Sequence, residues 1–182
     1  AEAMAERVAT RLAGELELID AELKPLVGKP FDVGNAINTE TTYPFFVYDK
    51  NRLRYWSDNA FVPSSLVPTH TFSVRLLRIA RESYILKRDV ADDDHTIVSL
   101  ITLLKEFTIR NDYLNTEWNE EVFPSPSYSI LEPTATLGVP VCLGGNCIFR
   151  ISFLADQFPG HEILRTVSII FFILSKLTSS SL

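Results

Sequence analysis

Three runs set the fold: Phe72-Ser-Val-Arg-Leu-Leu-Arg-Ile79, Ser83-Tyr-Ile-Leu-Lys-Arg-Asp-Val90 and Thr96-Ile-Val-Ser-Leu-Ile-Thr-Leu-Leu-Lys-Glu-Phe107. They are rich in branched and aromatic residues, and the acidic stretch Ala91-Asp-Asp-Asp94 separates the second from the third. That pattern predicts antiparallel meander strands. Leu76, Leu77, Ile79 and Ala80 also suit a short helix, so the first run is open to either reading.

Upstream, Pro44-Phe-Phe-Val-Tyr48, the polar break Asp49-Lys-Asn-Arg52 and Leu53-Arg-Tyr-Trp56 predict a hairpin after a polar loop over 29–42. Before that loop, Val8, Leu12, Leu16, Ile19, Leu23 and Leu26 recur in steps of three and four among charged neighbours. This is the spacing of a helix with one apolar stripe, predicted over 1–26 and ended by Pro25 and Gly28. Its near-heptad spacing fits either a dimeric stalk or a helix packed on its own domain.

Downstream, residues 111–122 predict a loop with a short helix, and Pro124, Pro126, Pro133 and Pro140 mark an irregular crossing. Residues 138–153 then predict a hairpin turning at Gly144-Gly145, a pair free to take positive φ. In that register Leu143 faces Asn146 and Cys142 faces Cys147 on a non-hydrogen-bonded pair, where side chains approach closely. A cross-strand disulfide, with the oxidising compartment it implies, is one reading. Two reduced thiols in a cytosolic hairpin are the other.

The chain has 182 residues, of which 46% are hydrophobic and 22% charged, with 7 Gly and 10 Pro, so one packed domain is expected and disorder is excluded. Lys and Arg number 17 against 23 Asp and Glu, a net charge of −6 without a basic block, which excludes nucleic acid as a partner. Two Cys, with His70, His95 and His161 scattered, provide no grouped metal ligands. The opening at Ala1, without an initiator Met or signal peptide, is expected of a processed or trimmed chain. Residues 167–174 form an apolar run too short to span a bilayer, and fit either a last core element or the opening of a membrane helix.

No nucleophile elbow, Walker loop or dinucleotide fingerprint is present, and no catalytic residue or cofactor is expected. His161-Glu-Ile-Leu-Arg-Thr166 carries one residue too many, and lacks the following Pro, for a histidine-kinase phosphoacceptor. Asp92, Asp93 and Asp94 lack the spaced ligands of a calcium loop and read as a solvated turn. Aromatic and polar residues concentrate at Tyr55-Trp-Ser-Asp-Asn59 and over 110–119. There Trp56 and Trp118 are expected to give apolar walls and Asp58, Asn59 or Arg110 to fix polar groups of a ligand. In the competing reading Tyr and Trp fill the core, and Asp58 and Asn59 cap a turn.

The strand Phe45-Phe-Val-Tyr48, the run Leu53-Arg-Tyr-Trp-Ser-Asp-Asn59, Tyr84-Ile-Leu-Lys87, Asn111-Asp-Tyr-Leu114 and Trp118-Asn119 together resemble, over about residues 1–153, the extracytoplasmic sensor region of Bacteroidetes-type transmembrane sensor histidine kinases. The resemblance implies a sensor held between two membrane helices, with the kinase core inside the cell. It also implies a PAS-like or Cache-like sheet behind a long helix.

The expected fold is therefore α+β: a helix over 1–27, a mainly antiparallel sensor domain over 28–158 and a C-terminal apolar segment over 159–182. The expected function is a periplasmic signal-input domain of an inner-membrane protein, acting as a homodimer and binding a small-molecule or protein ligand. Tyr55, Trp56, Asp58, Asn59, Tyr84 and Trp118 are the residues expected nearest the ligand or the core that supports its pocket. A free-standing periplasmic or secreted binding module is the alternative, and a small hydrolase built on His70, Asp58 and a serine is the third.

Overall fold

A computed structural model describes residues 1–50, 52–58, 72–107, 116–125 and 128–153. The chain opens with helix α1, Glu2–Leu23, and after a turn comes the one-and-a-half-turn helix α2, Val33–Ile37. Strands β1 (Phe45–Asp49), β2 (Arg52–Trp56), β3 (Val74–Ile79), β4 (Glu82–Val90), β5 (His95–Lys105) and β6 (Glu117–Trp118) follow. Strands β7 (Tyr128–Leu131), β8 (Val139–Leu143) and β9 (Asn146–Phe153) complete the described elements.

The first six strands make one antiparallel sheet in the order β2-β1-β5-β4-β3, with β6 pairing the far end of β5. Strands β7, β9 and β8 make a second, three-stranded sheet. The α+β expectation of a long helix followed by antiparallel sheet thus holds. Residues 72–79 settle as a strand: Val74 to Ile79 pair with Lys87 to Glu82, and Ala80 turns the chain at φ 52°.

Central strands read as continuous apolar runs because both faces of the sheet are covered. On β1, Phe45, Phe46, Val47 and Tyr48 are all buried. One face, with Phe45, Val47, Ile85, Ile97 and Ile101, shares a core with the stripe of α1 (Val8, Leu12, Leu16, Ile19, Leu23) and with Val141, Phe149 and Ile151 of the small sheet. The other carries Phe46, Tyr48, Tyr84, Leu86, Val98 and Leu100. Since the stripe of α1 is buried on its own domain, it is not a free coiled-coil seam. Among the described residues no helix is long and apolar enough to cross a membrane.

Several local expectations need correction. The helix stops at Leu23 rather than Leu26: Lys24 keeps helical dihedrals, but Pro25 has no N–H to continue the ladder, and the chain goes on as a turn in which the Leu26 N–H bonds the Leu23 carbonyl at 2.8 Å and Leu26 still reaches the core. The loop over 29–42 contains α2, capped where the Asp32 carboxylate accepts from the Asn35 N–H at 3.1 Å. Trp118 sits in a strand rather than a short helix, and the proline-marked crossing contains β7. Pro140 fits inside β8 because that strand is at a sheet edge, where a missing N–H leaves no ladder bond unmade. Residues 159–182, including the apolar run and His161, lie outside the described residues, as do His70, Asn59 and Arg110.

Candidate functional site

The β8–β9 hairpin forms in the predicted register. Leu143 faces Asn146, Gly144 and Gly145 turn with φ 54° and 86°, and Cys142 and Cys147 are joined by a disulfide. The acidic turn is used for structure: Asp92 Oδ2 accepts from the Phe31 N–H at 2.8 Å, while Oδ1 accepts from the Asp94 and His95 N–H groups and lies 2.8 Å from His95 Nδ1. Those bonds, the one from Phe31 first, hold the Asp92 carboxyl down at about 2. Among the described residues no group of three metal-ligating side chains occurs.

The residues expected at a ligand pocket divide between the two faces of the large sheet. Tyr55 lies on the helix side, its ring 5.4 Å from that of Phe45. Trp118 is on that side too, edge-on to Phe123 at 4.9 Å and to Tyr128 at 6.2 Å, in an aromatic row that ties the two sheets together. It also borders a surface cleft beside Arg11 and Glu120. Trp56, half-exposed, is opposite Phe46 and so belongs to the other face, together with Tyr84. Asp58 is exposed just beyond β2. The described members of the set therefore do not line one pocket.

The face away from α1 is itself buried, with Phe46, Tyr48, Tyr84, Leu86, Val98 and Leu100 each no more than 4% exposed. It is an apolar bed with phenols set into it: Tyr48 is pushed up to about 12 by burial, and Tyr84 is raised by burial and by donating its hydroxyl to the Glu82 carboxylate. Both stay neutral donors at physiological pH. Arg75 and Arg88 rise from the same face, Arg75 opposite Leu86 and Arg88 opposite Val98.

Beside β3, the last strand of the large sheet among the described residues, a cleft of about 410 Å³ lies between that strand and the β8–β9 hairpin. Phe72, Arg75, Leu76, Leu143, Glu132 and Ile148 are among its walls. The volume lies in the range of small-molecule sites. Sequence reasoning passed over Arg75, although a charge between Val74 and Leu76 in a strand run is a visible signal.

The opposite face carries a different polar device. Lys87, side chain 9% exposed, reaches from β4 to Asp20 Oδ1 on α1 and to Asp89 Oδ2 on its own strand, 2.6 Å each. Along the same helix Arg11 Nη1 donates to the Glu120 carbonyl at 3.0 Å, Tyr43 donates to Glu15 at 2.9 Å, and Glu22 accepts from the Thr42 N–H at 2.9 Å. These polar contacts fix where the helix lies on the sheet. Compared with protein-family models, curated proteins and solved structures, the chain matches none of them.

Proposed function

We propose that this chain is the extracytoplasmic signal-input domain of a transmembrane sensor histidine kinase, built on a PAS-like or Cache-like sheet. A ligand on one face of the sheet would change how α1 sits on the other. The observation that carries the reading is the strand order β2-β1-β5-β4-β3, with the first and last of the five strands adjacent and a long N-terminal helix over one face. PAS-like and Cache-like sheets are wound in this order. The Lys87–Asp20 pair supports the same reading, because it joins the strand that carries Tyr84 and Arg88 directly to the helix.

In this reading the domain lies in the periplasm as part of an inner-membrane protein and works as a homodimer. Dimer contacts use surfaces other than the buried stripe of α1. Signalling is a population shift: the ligand biases the helix only by the difference in its affinity for two arrangements. The test is the reading frame on either side of the segment. An apolar span of about 20 residues before Ala1 and a kinase core after Leu182 are expected; a frame holding neither replaces the sensor with a free-standing binding module.

A further inference from the structure

We propose that the Cys142–Cys147 disulfide is a reversible thiol-exchange site, opened by a low-molecular-weight thiol that attacks Cys147 from the cleft beside β3. Opening it loosens β8 where that strand packs on α1.

A bulge turns Cys147 outward. Val141 pairs with Phe149 but Cys142 pairs with Cys147, so Ile148 is an extra residue on β9. Strict alternation from the buried Phe149 would send residue 147 inward. The extra residue lets Ile148 and Phe149 both face the core and leaves Cys147 exposed.

The two cysteines border different openings. Cys147 lines the cleft of about 410 Å³, beside Val74, Leu143 and Asn146. Cys142, half-buried, borders a groove whose other wall is α1, at Glu2, Ala5, Glu6 and Ala9. One end of the bond is thus open to an attacking thiolate, and the end to be displaced lies beside the helix.

The hairpin does not depend on the bond. Gly144 and Gly145 set its turn, and Val141, Phe149 and Ile151 are buried in one core with Ala5, Val8 and Leu12 of α1. An exposed disulfide that closes a short loop on an element already held by its core has the attributes of the labile, regulatory kind.

The exchange runs in two steps. A thiolate RS⁻ attacks Cys147 Sγ; an RS–Sγ bond forms, the Sγ–Sγ bond breaks, and Cys142 leaves as a thiolate that takes a proton from solvent. A second thiolate attacks the RS sulfur, releasing RSSR and the Cys147 thiolate, which is protonated in turn. Two thiols are oxidised to one disulfide while the protein disulfide gains two electrons, and RSSR drives the reverse. The site stands without the sensor reading; within that reading, α1 answers to the thiol content around the domain.

The experiment treats the oxidised full chain with reduced glutathione in native buffer, followed by acid quench, alkylation and mass spectrometry. Opening without denaturant, reversed by oxidised glutathione, is expected. Cys142→Ser should take up glutathione from its oxidised form at Cys147 at least tenfold faster than Cys147→Ser takes it up at Cys142. Hydrogen exchange in the reduced wild type should quicken severalfold over Val139–Leu143 and the first turns of α1, and stay unchanged over β4. A bond that opens in urea but not in native buffer is structural and overturns the site. Opening by thioredoxin, a protein dithiol, but not by glutathione overturns the small-thiol assignment, and equal uptake by the two single variants overturns Cys147 as the attacked sulfur. Exchange unchanged on reduction removes the link to α1, and exchange that quickens throughout the chain means unfolding rather than a switch.

Discussion

Lys87 of β4 and Asp20 of α1 meet at 2.6 Å, and this is the one ion pair among the described residues that joins the helix to the large sheet. Its two ends are unequal. The Asp20 side chain is 60% exposed, whereas Lys87 is buried and shared with Asp89, itself 17% exposed. Exposed carboxylates contribute little, so Asp20→Asn should cost under about 1 kcal/mol. Lys87→Met strands the Asp89 carboxylate and should cost about 2–3 kcal/mol. Urea denaturation of both variants checks this, and equal costs would put the weight on the helix contact instead.

Asp92 makes the acid limb of the stability profile. Its carboxyl is held from the ordinary 3.8 down to about 2, so its contribution is present in full above the unfolded value and lost as pH falls from 3.8 towards 2. Asp92→Ala should be less stable than wild type at neutral pH, and the gap should close over that window. Unfolding curves from pH 7 to pH 2 measure it; a gap independent of pH would mean that the hydrogen bonds to Phe31 and His95 do not depend on ionisation.

Two glycines give opposite expectations. Gly138 sits at φ 78°, and a Cβ there would lie 2.6 Å from the Ile151 carbonyl oxygen, on a backbone that has no room to move. Gly138→Ala should cost at least about 2 kcal/mol. Gly14 is exposed within α1 with nothing within 4 Å of an added Cβ, so Gly14→Ala should stabilise by about 0.5–1 kcal/mol. Thermal melts decide both.

The disulfide closes a short loop, Cys142 and Cys147 being five residues apart. Loop-closure entropy then assigns it about 2 kcal/mol. The double variant Cys142→Ser, Cys147→Ser should lose that amount and keep its far-ultraviolet dichroism, because Gly144 and Gly145 set the turn without it. Loss of the fold would show that the turn residues are insufficient.

The fold was legible wherever periodicity and turn chemistry agree. The stripe from Val8 to Leu23 marks α1, and the glycine pair fixes the register that brings Cys142 opposite Cys147. β7 was hidden because Pro124, Pro126 and Pro133 surround four residues whose strand identity depends on pairing with β9. The candidate site was less legible. Tyr55 and Trp56 are neighbours in sequence, but alternation along a strand sends them to opposite faces. Arg75 and Arg88 come to the same face of neighbouring strands only once β3 folds back on β4, a relation that no local pattern carries.

The central claim is that the chain feeds a signal through α1 to a kinase, and the most direct test is phosphorylation of the full gene product in native membranes. With labelled ATP the account predicts a phosphohistidine on that product, formed at a rate that Lys87→Met changes severalfold at equal protein level. A product that takes no label, or labels identically with and without Lys87, contradicts it.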